Sequence, residues 1–160
     1  MRNQTFSIWS RVVSLRGMTA ATSLLAQFAA LYSATVSEPL DARGLPPGQG
    51  GLRPMWGTPE MAGLARTVEL ELLTGAIAEA GPEDVSVVAG GGRADVSSWG
   101  GIVSVGASVR GVRGVVTDGA CRDVGQARGL GFPVFARAQM PVTARGCGRS
   151  RPVSPSGSER

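Results

Sequence analysis

In this 160-residue chain, the adjacent residues Arg122 and Asp123 have side chains and a position that suit ligand binding or catalysis. They stand between a strand-like run and a helix-like run in the sequence VVTDGACRDVGQARGL. In α/β proteins, ligands usually bind where a strand gives way to a helix. An Asp there can bind a hard cation, and an Arg can clamp a carboxylate or an enolate oxygen. The alternatives are a surface ion pair, or an Asp123 that only caps the following helix.

A second candidate is the run Trp99-Gly100-Gly101-Ile102-Val103. Two glycines near the first turn of a helix leave its free backbone N–H groups open to approach. Such a helix start binds anions, and a carboxylate would suit it. The alternative is that the glycines only permit close packing, and local sequence does not decide between the two.

The residue types that are missing narrow the possible chemistry. The chain has no His and no Lys, so all 16 basic residues are Arg. Nucleophile–His arrangements, His-ligated zinc, a Schiff base and a P-loop lysine are therefore excluded. Arg is too basic to serve as a general base. Catalysis would have to use carboxylates, Arg, backbone amides or a metal bound by oxygen.

Other candidates have simpler interpretations. Gly90-Gly91-Gly92 follows a strand, but Asp95 stands where a dinucleotide fingerprint needs glycine, so a tight turn is favoured. Asp118 could cap a helix or accept a hydrogen bond behind the site. Cys121 has no His to activate it, which favours a packed side chain over a nucleophile. It could pair with Cys147, but no secreted disulfide framework accompanies them, so we expect reduced thiols and a cytoplasmic protein.

The elements that would position these residues alternate between helix and strand. We predict strands and helices over the following ranges: helix 22–36, closed by Pro39; a loop over 44–59; a strand within 63–73; helix 72–80; strand 85–89; a helix from Ser97 or Ser98 to Arg110; strand 112–117; helix 124–130; and strand 133–136. This alternation predicts the α/β class.

Charge and hydropathy argue against nucleic acid and membrane as partners. The net charge of +4 comes from the ends, and the residues between 17 and 144 carry nine Arg and eleven acids, a net charge of −2. The uncharged stretch Met18–Ser37 contains too many Ser and Thr residues for a membrane span. We predict instead an amphipathic core helix with Leu24, Phe28, Leu31 and Tyr32 on one face.

The run WGGIVSVGASVRGVRGVVTDGACRDVGQARGLGFPVFAR resembles the family of 4-hydroxy-4-methyl-2-oxoglutarate aldolases and regulator of ribonuclease activity A-like proteins, also labelled demethylmenaquinone methyltransferase-like. The segments FAALYSATVSEPLDARGL, GLARTVEL and AEAGPEDVSVVAGGG are similar to its N-terminal half. The resemblance covers about residues 24 to 142, and its most specific part is the glycine-rich helix start followed 22 residues later by Arg-Asp. It implies a swivelling β/β/α domain, usually assembled as a homotrimer.

The resemblance also implies a class II aldolase that cleaves 4-hydroxy-4-methyl-2-oxoglutarate to pyruvate. Gly100, Gly101, Ile102 and Val103 would hold the substrate carboxylate through backbone amides. Arg122 would contact the pyruvate moiety, and Asp123 would bind a divalent metal. The missing Lys agrees with metal chemistry, and an oxygen-only ligand set favours Mg²⁺ or Mn²⁺. Oxaloacetate decarboxylation is implied as a side activity, since it yields the same pyruvate enolate.

The chain departs from the family after its Pro-Val-Phe-Ala-Arg strand. Further strands with a Pro-Gly-Asp element are expected there, and a Ser-, Pro- and Arg-rich segment follows instead. We therefore expect an N-terminal tail over 1–17, a domain over 18–142 that is truncated at its C-terminus, and a disordered basic tail over 143–160. Two alternatives to the aldolase stay open: a non-catalytic regulator that binds a ribonuclease, and an inactive truncated paralogue.

Overall fold

The structure is a computed structural model that describes residues 19–144. The predicted tail over 1–17 lies outside these residues, as does the part of the predicted C-terminal tail beyond residue 144. The division of the chain at residues 17 and 142 stays a prediction. Thr143 still pairs with Ser97 through an isolated parallel bridge.

Helices and strands alternate along the described part of the chain. The helices are α1 (Thr19–Ala29), α2 (Ser33–Asp41), α3 (Leu73–Glu79), α4 (Gly101–Val109) and α5 (Val124–Gly129), with a 3-10 turn at Leu70–Leu72. The strands are β1 (Arg53–Pro54), β2 (Leu64–Glu69), β3 (Asp84–Ala89), β4 (Ser97–Trp99), β5 (Val115–Thr117), β6 (Ala120–Cys121), β7 (Val134–Ala136) and β8 (Ala138–Gln139).

The larger sheet has five strands in the order β1-β7-β5-β3-β2. Strands β2, β3, β5 and β7 are parallel, and β1 pairs antiparallel with β7 at the edge. Its central strands are rich in Val, as expected when both faces of a parallel sheet are covered. Val88, Val115 and Val134, on three adjacent strands, are almost completely buried and lie at the centre of the core.

The smaller sheet has three parallel strands in the order β4-β6-β8. Trp99 pairs with Cys121, and Ala120 pairs with Ala138. Two sheets with helices beside them confirm the predicted α/β class and its β/β/α arrangement. This sheet positions the start of α4 relative to Arg122, because β4 leads into α4 and β6 leads into Arg122.

The prediction of one helix over 22–36, packed into the core, is wrong. Helix α1 ends at Ala29, and α2 begins at Ser33. Between them the N–H groups of Ala30 and Leu31 donate to carbonyls three residues back, as in a 3-10 turn. The apolar face that was predicted to be core is exposed instead: Leu24, Phe28, Leu31 and Tyr32 are 43% to 78% exposed. Helical spacing identifies an apolar face but does not say what covers it.

Pro39 does not close this region, because it lies inside α2, two residues before its end. A proline removes one helical hydrogen bond, which a short exposed helix can lose near its last turn. The carbonyl oxygen of Pro39 accepts a hydrogen bond from the guanidinium of Arg43 at 3.0 Å.

The prediction that a helix begins at Ser97 or Ser98 is also wrong. Residues Ser97–Trp99 form β4, and the helix begins at Gly101. The buried hydroxyl groups explain the difference: Ser98 Oγ bonds with Thr117 Oγ1 at 2.7 Å and donates to the carbonyl of Ala120 at 3.1 Å. Ser97 Oγ donates to the carbonyl of Trp99 at 2.6 Å, so both hydroxyl groups are bonded within or between strands and neither serine caps the helix.

The remaining predicted strands and helices are confirmed within one to four residues: the strands β2, β3, β5 and β7 and the helices α3 and α5. The predicted loop over 44–59 contains the two-residue strand β1. No helix within residues 19–144 combines the length and the apolar character needed to cross a bilayer.

Candidate active site at the start of helix α4

Gly100 and Gly101 form the start of helix α4. Gly100 is the N-cap residue with an extended backbone, and its carbonyl oxygen accepts the N–H of Ser104 at 3.0 Å. The preceding N–H groups, those of Gly101, Ile102 and Val103, belong to the first turn and have no acceptor within the helix. Their partial positive charge makes this end of α4 suited to an anion.

Pairing between β4 and β6 brings Arg122 and Asp123 beside this helix start. Trp99 is the last residue of β4, and its carbonyl oxygen accepts the backbone N–H of Arg122 at 2.9 Å. The chain therefore leaves both strands side by side, one end continuing into Gly100 and the other into Asp123. The structure brings together the two motifs that the sequence separates by 22 residues.

The Asp123 carboxylate lies at the centre of the arrangement. Its Oδ2 accepts the N–H of Gly101 at 3.0 Å and lies 3.6 Å from Nε of Arg122. The side chains of Arg122 and Asp123 are 31% and 43% exposed, so this ion pair contributes little to stability. Its accessibility instead leaves both charged groups available to a ligand.

The backbone of Asp123 adopts a left-handed conformation with φ of 56° and ψ of 35°. Among the described residues it is the one non-glycine residue with a positive φ. Such conformations cost free energy and are frequent at functional sites. Asp123 is also the N-cap residue of α5, but its side chain makes no capping hydrogen bond to that helix. Its carboxylate is turned toward α4.

The side chains of the site fill the space that larger residues would need at Gly100 and Gly101. A Cβ at Gly100 would stand 2.9 Å from Nε of Arg122 and 3.3 Å from Oδ2 of Asp123. A Cβ at Gly101 would meet the side-chain amide of Gln126 and would stand 3.1 Å from Cβ of Asp123. The two explanations for these glycines are therefore compatible: the glycines permit close packing, and the side chains that pack against them belong to the candidate site.

Gln126 is a residue of this cluster that the sequence analysis missed. It lies in the first turn of α5, and its backbone N–H donates to the carbonyl of Asp123 at 2.9 Å. No signal in the sequence singles it out, because a glutamine on an exposed helix face is ordinary.

Ile102 and Val103 place their backbone amides in the first turn of α4. The side chain of Ile102 is 77% exposed, whereas that of Val103 is partly buried against the core.

A buried tryptophan anchors the helix start from behind. Nε1 of Trp99 donates to Oγ of Ser104 at 2.8 Å, and that hydroxyl donates to the carbonyl of Gly100 at 3.0 Å. The Trp99 ring stacks on Phe132 with centroids 6.0 Å apart. Because Trp99 also accepts the N–H of Arg122, one residue holds both halves of the site in position.

Asp118 and the glycine loop Gly90–Gly92 support the smaller sheet. The Asp118 carboxylate accepts the N–H of Gly90 and, at 3.0 Å, the N–H of Gly92. Asp118 is thus a buried acceptor, one of the two roles expected of it. These two amides point at a carboxylate of the chain itself, which agrees with a tight turn and not with a nucleotide site.

Cys121 is a buried free thiol directly before Arg122. Burial, and then the negative charge of Asp123, raise its pKa to about 11. The thiol is therefore protonated at neutral pH, which supports a packing role and argues against a nucleophile.

The predicted metal ligand, Asp123, does not belong to a larger cluster of metal-ligating side chains within the described residues. Within residues 19–144 no group of three or more Cys, Asp and Glu side chains is arranged to hold a metal ion.

A family model described as RraA-like, Aldolase/RraA, matches residues 33–155 of the chain. The chain belongs to the RraA-like family. This confirms the resemblance predicted from the Gly100 and Arg122-Asp123 motifs. The family description includes both aldolases and RraA proteins, so membership alone does not select between them.

Two curated relatives match this RraA-like chain. One, from Halalkalibacterium halodurans, is provisionally named as a 4-hydroxy-4-methyl-2-oxoglutarate aldolase and is 31% identical over 123 residues, which are 74% of this chain and 58% of that protein. An uncharacterised protein of Methanocaldococcus jannaschii is 47% identical over 57 residues, 36% of this chain and 27% of that protein. The chain thus spans less than two thirds of the length of either relative.

Solved structures support the same fold. An uncharacterised protein of Pseudomonas syringae superposes with a TM-score of 0.71 at 28% identity, over 78% of this chain and 62% of that one. Streptomyces coelicolor RraAS2, described as an unusual member of the RNase ES inhibitor RraA protein family, superposes with a TM-score of 0.71 at 26% identity, over 78% of this chain and 67% of that one.

Proposed function

We propose that this RraA-like chain is a divalent-metal-dependent lyase that cleaves 4-hydroxy-4-methyl-2-oxoglutarate, or a similar oxo-acid, to release pyruvate. One observation carries the proposal: the N–H of Gly101, the guanidinium of Arg122 and the carboxylate of Asp123 converge within 3.0 to 3.6 Å. A helix start, a fork-shaped cation and an exposed carboxylate together suit a carboxylate ligand and a hard metal ion. The name of the Halalkalibacterium relative supports this choice.

The substrate would be held by its carboxylate at the start of α4. The first-turn amides of Ile102 and Val103 would donate to the carboxylate oxygens, and that of Gly101 would join them by leaving the Asp123 carboxylate that it contacts in this structure. The missing side chain of Gly100 leaves room for Arg122 and Asp123 beside them. Arg122 would bind the oxo-acid portion and stabilise the negative charge that develops when the carbon–carbon bond breaks. The guanidinium already lies beside the start of α4, with its Nε 3.6 Å from Oδ2 of Asp123.

Asp123 fits a divalent cation by the chemistry of its donor. Its carboxylate is accessible, and only Oδ2 is engaged by Gly101 and Arg122. Mg²⁺ is commonly held by one or two carboxylates together with water and substrate oxygens, and Mn²⁺ accepts similar ligands. When bound, the cation would supply Lewis-acid polarisation of the substrate's oxo group. Oxaloacetate presents the same carboxylate and oxo group, so its decarboxylation is proposed as a side activity.

The test is the release of pyruvate from 4-hydroxy-4-methyl-2-oxoglutarate and from oxaloacetate, each with Mg²⁺ and with a chelator. Metal-dependent release would support the proposal. A folded sample that releases no pyruvate in either condition would contradict it.

A second candidate function is the regulation of a ribonuclease by direct contact. Similarity to Streptomyces RraAS2, whose family is described as inhibiting RNase ES, favours it. An added ribonuclease whose activity falls equally with wild type and with Arg122→Ala would support this candidate, since contact regulation does not need the metal site. Unchanged ribonuclease activity would count against it.

A further inference from the structure

Helices α1 and α2 form an N-terminal arm whose apolar side chains stay exposed. None of residues 24–41 is buried. Leu24, Phe28 and Leu31 follow one another at spacings of four and three residues, so they share one side of the arm, and they are 43% to 47% exposed. Large apolar side chains that are grouped on one exposed face mark an interaction surface.

Helix α4 carries a second exposed apolar face, made of Ile102, Val105 and Val109, which we call the α4 face. Ile102 and Val109 are 77% and 83% exposed, and Val105 is 36% exposed. Their spacing of three and four residues places them on one side of the helix. The buried residues of α4 lie on another side and are Gly101, Ser104 and Ala107.

The two faces match in length and in spacing. The face of the arm runs from Leu24 to Leu31, and the α4 face runs from Ile102 to Val109. Each covers about two helical turns, which is about 10 Å along the helix axis. Rows of side chains at these spacings pack into the grooves of a second helix. The α4 face is therefore a surface that the arm can cover.

The charges beside the two faces are opposite in sign. Residues 19–45, which include the arm, carry Glu38, Asp41 and Arg43, a net charge of −1. Residues 101–113, which include α4, carry two Arg and no acid, a net charge of +2. Of these, Arg110 is exposed and forms no ion pair with a described residue. Opposite charges of this kind favour association of the two surfaces.

We propose that the N-terminal arm of one copy of this chain packs on the α4 face of a second copy. A contact between two different surfaces of identical chains repeats from copy to copy, and it closes into a ring when the rotation allows. A ring of three agrees with the homotrimer that the family resemblance implies. Because Ile102 lies in the first turn of α4, the arm would border the candidate active site of the neighbouring copy. The inference goes beyond the proposed lyase activity and does not depend on it.

Disulfide cross-linking between full-length chains tests this contact directly. Two chains with different affinity tags are co-expressed in a Cys147→Ser background, one with Phe28→Cys and the other with Val105→Cys. The remaining native thiol, Cys121, is buried. Mild oxidation should yield a covalent dimer that carries both tags and disappears on reduction. We expect over about ten times the yield of a pair in which Leu72→Cys replaces Val105→Cys, because a disulfide needs Cα atoms within about 7 Å.

Light scattering during size-exclusion chromatography gives a second readout. Phe28→Asp and Val105→Asp each place a charge in the proposed contact and should weaken association by more than about 100-fold. Both variants should then show the 16.4 kDa mass of one chain. Their circular dichroism should match wild type, since both positions are exposed in the single chain. Leu72→Asp is the matched control, since Leu72 is 65% exposed and lies outside both faces, and it should keep the wild-type mass.

Three outcomes would overturn the inference. The first is a yield of mixed dimer no higher than that of the Leu72 control, and the second is an oligomer that Phe28→Asp and Val105→Asp leave intact. The third is a disulfide that forms only within a chain carrying both new cysteines, which would show that the arm covers its own α4. A wild-type monomer would overturn this inference and the homotrimer together, while metal-dependent pyruvate release by that monomer would still support the proposed function.

Discussion

Asp123 is held in a conformation that directs its carboxylate away from its own helix. Its left-handed backbone turns the side chain from α5 toward the N–H of Gly101. Asp and Asn tolerate this conformation better than most residues do, because their side chains are short and polar. Asn is therefore the substitution that removes the charge of this site with the least change to the backbone.

Cys121 gives a prediction that depends on pH. Its pKa is raised from the ordinary 9.0 to about 11, first by burial and then by the charge of Asp123. The unfolded chain therefore loses this proton at a lower pH than the folded chain does. The contribution of the protonated Cys121 thiol to the free energy of unfolding is present in full below pH 9 and is lost as the pH rises from 9 through about 11. The full effect is roughly 2 to 3 kcal/mol.

Urea unfolding between pH 8 and pH 11 measures this effect, in a Cys147→Ser background that leaves one thiol. The free energy of unfolding should fall more steeply over this range with Cys121 than with Cys121→Ala. Equal slopes for the two proteins would show that the buried thiol is not responsible.

The start of α4 depends on one hydrogen-bonded serine. Ser104→Ala leaves the buried Trp99 indole N–H without its acceptor and frees the Gly100 carbonyl from its side-chain donor. We expect the free energy of unfolding to fall by about 1 to 3 kcal/mol. Ser108→Ala, on the same helix and only partly buried, should change it by less than about 0.5 kcal/mol. Urea denaturation of both variants is the measurement, and equal losses would contradict the assigned anchoring role.

Longer strands and helices are easier to predict from the sequence, because they have enough residues to show a regular spacing of apolar side chains. Strands β2 and β3 have six residues each and were predicted, whereas β1, β6 and β8 have two each and were not. A two-residue strand carries no alternation, and its pairing is set by distant partners. Strands β6 and β8 of the smaller sheet were missed for this reason, whereas β4 was missed because a helix was predicted to begin at its serines. This sheet nevertheless sets the distance between Gly100 and Arg122.

The residues of the candidate site were predicted from the sequence, with one exception. The glycine pair and the Arg-Asp pair were candidates from the local sequence, and the family resemblance implied a carboxylate and metal site. The structure adds that Gly101 and Asp123 are hydrogen-bonded. Gln126 could not be selected in the same way, because a glutamine on an exposed helix face is ordinary. Only its contact with Gly101 separates it from a surface residue.

At the scale of the whole molecule, the two sheets approach each other at glycines, which have no side chain to separate them. A Cβ on Gly90 would stand 2.9 Å from Cα of Gly119, and one on Gly119 would stand 2.8 Å from Oγ of Ser98. The loop after β3 and the turn after β5 can therefore approach closely. Asp118 holds the loop and the turn together, because its carboxylate accepts the N–H groups of Gly90 and Gly92.

Assembly is a second property of the whole molecule, and we propose the homotrimer that the family resemblance implies. Ile102, Val105 and Val109 are exposed at helical spacing on α4, which supports a face covered by another subunit. Light scattering during size-exclusion chromatography should give three times the 16.4 kDa chain mass. A monomer at micromolar concentration would contradict this assembly.

The central claim is that Asp123 and Arg122 form a metal-dependent site for an oxo-acid, and one measurement tests it most directly. Pyruvate release from 4-hydroxy-4-methyl-2-oxoglutarate is followed with Mg²⁺ and with chelator for wild type, Asp123→Asn and Arg122→Ala. We predict that Mg²⁺ activates only proteins that retain Asp123, and that Arg122→Ala lowers kcat by about 100- to 1,000-fold. Metal-independent release by wild type, or equal Mg²⁺-dependent rates in all three folded proteins, would contradict the claim.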